Sequence, residues 1–256
     1  MAHWKGKVAL VTGASSGIGA GVCGALVKLG MVVVGCARRP DRINSLCKKI
    51  ATETVSGKLV GVKCDLTQEN DILETFDYIK RKYNRLDVCI NSAGLSHDSP
   101  LLSGSTEYFR NMLETNILAL TVCNREAFKL MHETKEMGQI INMSSLSGHV
   151  LPNTTWTGVH FYCGTKFMVR ALTECIRKEI KAQKSLVRVA CVSPGAVRTE
   201  FYDNYLKDDP NLKTSDVFSD VRTLQPENIV DCILYILNAP PHVEIHDIII
   251  RSIIDP

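Results

Sequence analysis

The stretch VALVTGASSGIGAGVCGALVKLGMVVVGCA, residues 8–37, contains the pattern of a strand, a helix and a second strand. The apolar run at its start ends in Thr-Gly, and apolar residues then recur at the spacing of one buried helical face. Gly30 follows where the C-cap of a helix belongs, and a β-branched run comes next. The stretch therefore predicts the first strand–helix–strand unit of a parallel sheet.

The same alternation continues to the end of the chain. It predicts helices over 41–54, 68–83, 106–134, 162–183 and 226–238, and strands over 59–64, 86–91, 139–144, 187–193 and 247–251. Alternating strands and helices favour an α/β fold, a single doubly wound (Rossmann) parallel sheet of seven strands flanked by helices. We expect one domain over 1–256, with a variable substrate lid at about 200–225, where the pattern is least regular.

The composition excludes several classes of protein. A net charge of +3, with 22% charged residues, leaves no basic footprint for a nucleic acid. No apolar run approaches the roughly 20 residues that span a membrane, and the opening residues lack a signal-peptide pattern. Ten cysteines are scattered without a CxxC pair, which favours reduced thiols in the cytoplasm. No histidine or cysteine spacing indicates a metal site.

The glycine-rich turn TGASSGIG, residues 12–19, joins the first predicted strand to the first helix. Gly13, Gly17 and Gly19 leave room for close approach of a phosphate to backbone N–H groups at the positive end of a helix dipole. Glycines also mark ordinary turns, so the trio alone is a weak signal. Its place between a strand and a helix strengthens the prediction of a nucleotide site.

The second strand ends in GCARR, which bears on the choice of nucleotide. Folds that prefer NAD commonly place a carboxylate there, against the ribose 2′-hydroxyl. Here Ala37 stands at that position, and Arg38 and Arg39 follow, a combination suited to a 2′-phosphate. We therefore expect NADP(H) as the preferred cofactor, with NAD(H) possible; the alternative is a solvated pair of arginines. Asp65, after the third strand, is expected near the adenine edge.

Further motifs follow in order: NSAG at 91–94, Asn116, SS at 144–145, YCGTK at 162–166 and SPGAVRT at 193–199. Together with the glycine-rich turn, this ordered set resembles the short-chain dehydrogenase/reductase family over nearly the whole chain. GCAR, LLSGST and INMSSLSGH look most similar to its farnesol dehydrogenase-like group. The resemblance implies an NADP-dependent oxidoreductase that interconverts a hydrophobic alcohol (an isoprenoid such as farnesol, a steroid or a retinoid) and its carbonyl.

Tyr162 and Lys166 lie four residues apart on one face of a predicted helix. They could be accidental surface residues, but the resemblance makes Tyr162 the proton donor and acceptor and Lys166 its partner. The side chain of a free tyrosine has a pKa of about 10. We expect the Lys166 cation and an oxidised nicotinamide ring to lower the pKa of Tyr162.

The resemblance assigns further roles by position. Ser145 holds the substrate oxygen, with Ser144 and Ser147 as its nearest alternatives, and Asn116 helps to hold a water of a proton relay. The implied cofactor contacts are Gly13, Ser15, Ser16, Gly17, Ile18, Gly19, Arg38, Arg39, Asp65, Leu66, Asn91, Ala93, Gly94, Tyr162, Lys166, Pro194, Gly195, Val197 and Thr199. It also implies a homodimer or homotetramer that uses the helices over 106–134 and 162–183.

Two features depart from the family pattern. Ser92 replaces an asparagine, and Tyr162 follows Ser145 by seventeen residues, a longer interval than usual. We expect the additional residues near the substrate mouth, where His149, Trp156 and His160 could line the pocket. A second hypothesis is a protein that senses NADP(H) without turnover, although a sensor has no need to retain Tyr162 and Lys166.

Overall fold

The computed structural model describes residues 2–51, 55–151, 157–206 and 223–253. Its seven strands form one parallel sheet in the order β3-β2-β1-β4-β5-β6-β7. The strands are β1 Val8–Thr12, β2 Val32–Ala37, β3 Lys58–Lys63, β4 Val88–Asn91, β5 Gln139–Met143, β6 Arg188–Pro194 and β7 Asp247–Ile250. The predicted doubly wound parallel sheet of seven strands is confirmed.

Eight α-helices of the described residues connect and cover these strands. They are α1 Gly17–Lys28, α2 Pro40–Ala51, α3 Glu69–Tyr83, α4 Thr106–Leu113, α5 Ala119–Thr134, α6 His160–Ala182, α7 Glu200–Leu206 and α8 Pro226–Asn238. The chain winds outward from β1 through β2 to β3, and then returns to β4 on the other side of β1. The crevice beyond the carboxyl ends of β1 and β4 is therefore the topological switch point, where such sheets bind ligands.

The buried strand β1 supplies side chains to both faces of the sheet. Ala9 and Val11 pack into the core beneath α1 and α8, whereas Val8 and Leu10 pack into the core beneath α3 and α5. Successive residues of a strand point to opposite faces, so a continuous apolar run is what a strand covered on both sides requires. The two cores hold the sheet rigid beneath the crevice.

One predicted helix differs from the structure in a way that concerns the site. The helix expected over 106–134 is divided into α4 and α5 by a π-helical turn, Glu114–Leu118. Such turns are rare and often accompany functional sites, because the widened turn displaces a side chain from the regular helical pattern. Asn116 lies in this turn.

The expected lid at about 200–225 is described only in part. Its first residues form the short helix α7, and the segment ends at residues 223–225 before α8; residues 207–222 lie outside the described residues. In the described part of the chain, no helix combines the length and apolarity needed to cross a bilayer. All ten cysteines are free thiols.

Candidate active site

A cleft of about 650 Å³ lies beyond the carboxyl ends of the strands. It brings together nineteen of the residues to which a site role was assigned from the sequence: Gly13, Ser15, Ser16, Gly17, Ile18, Gly19, Arg38, Arg39, Asp65, Leu66, Ala93, Gly94, Ser145, Tyr162, Lys166, Pro194, Gly195, Val197 and Thr199. Asn91 and Asn116 are not among the residues that line it. Segments distant in the sequence therefore meet at one edge of the sheet.

The glycine-rich turn has no room for side chains. Gly13 has a φ of +66°, and a Cβ there would lie 2.9 Å from Ala93 Cα, while a Cβ on Gly19 would meet the Gly13 carbonyl oxygen. The Ser16 hydroxyl makes no capping bond to α1, which begins at Gly17. A tight bare turn at the positive end of a helix fits the pyrophosphate of a dinucleotide.

The end of β2 presents cations to the same cleft. Ala37 is buried, and the exposed Arg38 and Arg39 line the cleft beside it. The Glu200 carboxylate, which also lines the cleft, lies 3.9 Å from the Arg39 guanidinium and pairs with Arg42 of α2. The sequence carries no local signal for Arg42 and Glu200, because the pair joins segments that are 158 residues apart.

Asp65 and Leu66 line the cleft beyond the end of β3. One carboxylate oxygen of Asp65 accepts hydrogen bonds from the Thr67 backbone N–H at 3.1 Å and from the Thr67 hydroxyl at 2.9 Å. The backbone N–H of Asp65 donates to the Asp71 carboxylate at 2.8 Å. These bonds fix the turn that carries Asp65, and they leave its second carboxylate oxygen for the expected adenine contact.

Tyr162 and Lys166 occupy one face of α6, as their spacing predicts. Both are buried, with 9% and 4% of their surfaces exposed, so the alternative of an accidental surface pair is wrong. The Lys166 ammonium donates a 2.8 Å hydrogen bond to the Met143 carbonyl at the end of β5, and it lies 5.6 Å from the centre of the Tyr162 ring. The end of a strand therefore orients the lysine toward the cleft.

Ser145 is the serine whose hydroxyl interacts with the Tyr162 phenol. Its hydroxyl accepts from the Ser147 N–H at 3.1 Å, and its interaction with the Tyr162 phenol lowers the pKa of that phenol. Ser144 is instead turned toward α6, where its hydroxyl donates to the Lys166 carbonyl at 3.0 Å. The side chain of Ser147 interacts with the Cys163 thiol. The geometry thus favours Ser145 over both alternatives.

The charge states of the pair differ from the expectation. Burial raises the pKa of Tyr162 above its usual value, and the Ser145 hydroxyl offsets only part of that effect. Burial also lowers the pKa of Lys166 to about 8. The expected lowering of the Tyr162 pKa by Lys166 is therefore wrong for the protein's own groups, because desolvation opposes the charged form of both side chains.

Two of the predicted site residues, Asn116 and Asn91, do not line the cleft and make hydrogen bonds within the protein instead. The Asn116 side chain accepts from the Leu95 N–H at 2.9 Å, and it donates to the Leu95 carbonyl at 2.8 Å and the Thr165 hydroxyl at 3.1 Å. Asn91 donates to Asn124 and Asn142, each at 2.8 Å, inside the core. The Asn91 side-chain amide therefore joins β4 to its neighbours, and the expected cofactor contact of this residue stays a prediction.

The other half of the cleft is apolar. Val150, Leu151 and Val159, together with Phe201 and Tyr205 of α7, are among the residues that line the cleft. The Phe201 ring lies 5.6 Å from the Tyr162 ring, so this half adjoins the phenol. Arg251, which was not among the predicted site residues, also lines the cleft directly after β7. Its place at the carboxyl end of a strand is the sequence signal that points to it.

The histidines expected at the substrate mouth lie elsewhere. His160 does not line the cleft, and Trp156 lies outside the described residues. His149 also turns away: its Nε2 is 2.9 Å from the Ser193 hydroxyl and 3.4 Å from the Asp247 carboxylate. His149 therefore ties the segment after Ser145 to β6 and β7. Within the described ranges, no group of three or more acidic, histidine or cysteine side chains could hold a metal ion.

Known proteins are similar to this chain in sequence and in fold. A family model described as short chain dehydrogenase matches residues 7–210. Dehydrogenase/reductase SDR family member 11 from Gallus gallus is 45% identical over 253 residues, which cover 98% of each chain. Farnesol dehydrogenase from Aedes aegypti is 36% identical over 254 residues, which cover 99% of this chain and 98% of that protein. The solved closed form of serine dehydrogenase complexed with NADP+ superposes with a TM-score of 0.85 at 25% identity, covering 96% of this chain and 95% of that one.

Proposed function

This chain belongs to the short-chain dehydrogenase/reductase family of oxidoreductases, and we propose that it interconverts a hydrophobic alcohol and its carbonyl with NADP(H). The observation that carries the proposal is the convergence of the part-buried Ser145 with the buried Tyr162 and Lys166 in one cleft, which the glycine-rich turn and several apolar side chains also line. Two relatives named as a dehydrogenase/reductase and a farnesol dehydrogenase support the same chemistry.

The proton chemistry is assigned to the protein's own groups. When bound, the nicotinamide supplies or accepts the hydride and, in its oxidised form, carries a positive charge. Tyr162 gives a proton to the carbonyl oxygen in reduction and takes it back from the hydroxyl in oxidation. Ser145 holds that oxygen beside the phenol. Lys166, which donates a hydrogen bond to the Met143 carbonyl, helps to orient the bound cofactor.

The preference for NADP(H) rests on the end of β2. Ala37 leaves the strand end without a carboxylate, and Arg38 and Arg39 stand where a 2′-phosphate would lie. Replacing both arginines by alanine is expected to weaken NADPH binding more than NADH binding in fluorescence titrations. Equal losses for the two dinucleotides would contradict the assignment of the arginines to the phosphate, and NAD(H) would then serve as well.

The substrate class follows from the lining of the second half of the cleft. The side chains of Val150, Leu151, Val159, Phe201 and Tyr205 give the cleft apolar and aromatic surface, and the Phe201 ring lies 5.6 Å from the Tyr162 ring. Burial of apolar substrate surface contributes about 25 cal/mol per Å², so an isoprenoid, steroid or retinoid skeleton gains more there than a small polar alcohol. A panel of NADPH-dependent reductions across these classes ranks the candidates.

Replacing Tyr162 by phenylalanine tests the central assignment. Loss of the phenol should lower kcat by about 10²- to 10⁴-fold, because it removes the proton donor while keeping the ring. Binding of NADPH, followed by nicotinamide fluorescence, should change little. The control is Tyr235→Phe, which removes the same hydroxyl from a side chain that is 65% exposed on α8 and should leave kcat unchanged.

Retained turnover in Tyr162→Phe would refute the mechanism. A sensor without turnover would bind the dinucleotide, yet the wild-type protein would oxidise none of it with any substrate of the panel. The relatives give that alternative no support. We also propose that the enzyme is a single domain, cytoplasmic, and a homo-oligomer of the kind its family resemblance implied.

A further inference from the structure

A carboxylate from α7 reaches the arginines at the end of β2. Both carboxylate oxygens of Glu200 accept from Arg42 Nη1, at 2.9 and 2.6 Å, and one of them lies 3.9 Å from Arg39 Nη2. The side chains of Arg42 and Glu200 are 42% and 46% exposed. Glu200 and Arg39 line the cleft, whereas Arg42 stands behind them on the first turn of α2.

Glu200 brings a carboxylate to the end of β2, where the strand itself has no acidic residue. The strand ends in Ala37, so no carboxylate of its own favours a ribose 2′-hydroxyl. Glu200 supplies a carboxylate from a segment 158 residues away, against the same guanidinium groups that suit a phosphate. A carboxylate and a phosphate compete for a guanidinium, because both are recognised by the same fork of N–H donors.

We propose that Glu200 is a specificity-determining residue that weakens the binding of a 2′-phosphorylated dinucleotide relative to one with a 2′-hydroxyl. It acts in two ways. Its charge opposes the phosphate, and its pair with Arg42 must be given up before that guanidinium turns to the phosphate. Arg42 is therefore a further partner for the phosphate, but only after its ion pair with Glu200 is broken. The proposal rests on the proposed dinucleotide site, and it deepens that site by naming what limits its selectivity.

The test is the effect of Glu200→Gln on the dissociation constants of NADPH and NADH, measured by fluorescence titration without substrate. Glutamine keeps the shape of the side chain and removes the charge. NADPH should bind about two- to fivefold more tightly, the range expected for an exposed ion pair, while NADH should bind no more tightly than before. The ratio of the two constants is therefore the readout.

A double-mutant cycle assigns the effect to Arg42. In the background of Arg42→Gln, which by itself should weaken NADPH, replacing Glu200 should have a smaller effect on NADPH than in the wild type. Glu133→Gln is the matched control, because Glu133 pairs with Lys80 at 3.0 Å and is similarly exposed, 56%, on α5. That variant should leave both dissociation constants unchanged.

An unchanged ratio in Glu200→Gln would overturn the inference, and so would a shift toward NADH. Equal weakening of both dinucleotides would mean instead that the ion pair clasps the cofactor, which also contradicts the proposed role in selectivity. In each of these outcomes a dinucleotide still binds, so the proposed function stands. If the wild-type protein binds neither NADPH nor NADH, the proposed function itself fails.

Discussion

At the scale of single residues, the site depends on two ionisable groups that burial drives toward their neutral forms. Desolvation raises the pKa of Tyr162 and lowers that of Lys166 to about 8. A neutral phenol is the correct state for donating a proton in carbonyl reduction. The Ser145 hydroxyl acts in the opposite sense, since it lowers the Tyr162 pKa and so assists the reverse reaction.

The burial of Lys166 predicts a pH-dependent cost in stability. Its pKa falls from 10.5 to about 8 on folding, so the unfolded chain binds the extra proton between these values and stability rises with pH across that window. The cost, on the order of 3 kcal/mol, is fully present below about pH 8 and disappears near pH 10.5. Lys166→Met should therefore raise the unfolding free energy most below pH 8, with a gain that shrinks toward pH 10.5.

Urea unfolding at several pH values between 7 and 10.5 measures this gain. The exposed Lys178 of the same helix provides the control, because Lys178→Met should change stability little at any of these pH values. A gain for Lys166→Met that stays constant across the window would show that desolvation of the ammonium is not its source.

At the scale of secondary-structure elements, buried amides align the helices with the sheet. Asn91 on β4 donates to Asn124 on α5 and to Asn142 on β5, and Asn142 donates to the Thr173 hydroxyl on α6 at 3.0 Å. Helix α6 also carries Tyr162, so these hydrogen bonds help to fix the position of the phenol along the helix axis relative to the ends of the strands. Buried polar networks of this kind contribute only when every member is satisfied.

Asn142→Ala tests the network. The substitution leaves a buried donor on Asn91 and the Thr173 hydroxyl without their partner, which should lower the unfolding free energy by about 1–3 kcal/mol. Chemical denaturation followed by circular dichroism measures the loss. Thr121→Val, which removes the hydroxyl of an exposed residue on α5, serves as the control. It should lower the unfolding free energy by less than about 1 kcal/mol.

At the scale of the whole molecule, two adjoining elements leave apolar side chains uncovered. Leu118 of the π-helical turn is 59% exposed, and Phe167 and Met168 of α6 are 39% and 44% exposed. The turn packs against α6, so these side chains belong to neighbouring surfaces. We predict that a second copy of this chain covers them, which agrees with the helices that the family resemblance implied.

Light scattering after size exclusion tests this assembly. Leu118→Glu should place a charge in the contact and yield a smaller species than the wild type, with an unchanged circular dichroism spectrum. Leu186→Glu, at a residue that is 64% exposed in the loop before β6, should leave the mass unchanged. A wild-type protein that elutes as a monomer at micromolar concentrations contradicts the prediction.

The sequence by itself determined the sheet, the order of its elements and most of the cleft. Continuous apolar runs identify the strands, and apolar residues at the helical spacing identify the helices. The carboxyl ends of parallel strands meet at one edge, so Gly13 and Gly94 had to converge there. The helical spacing of Tyr162 and Lys166 likewise placed them on one face.

Only the tertiary structure decided which side chains remain available to a ligand and how their charges are set. The Asn91 amide and the His149 ring bond to partners distant in sequence, and Glu200 pairs with Arg42, which is 158 residues away. The direction of the Tyr162 pKa likewise depends on how deeply the folded chain buries the phenol. The local sequence pattern does not predict these effects, because hydrogen bonding, ion pairing and desolvation depend on distances in space rather than on separation along the chain.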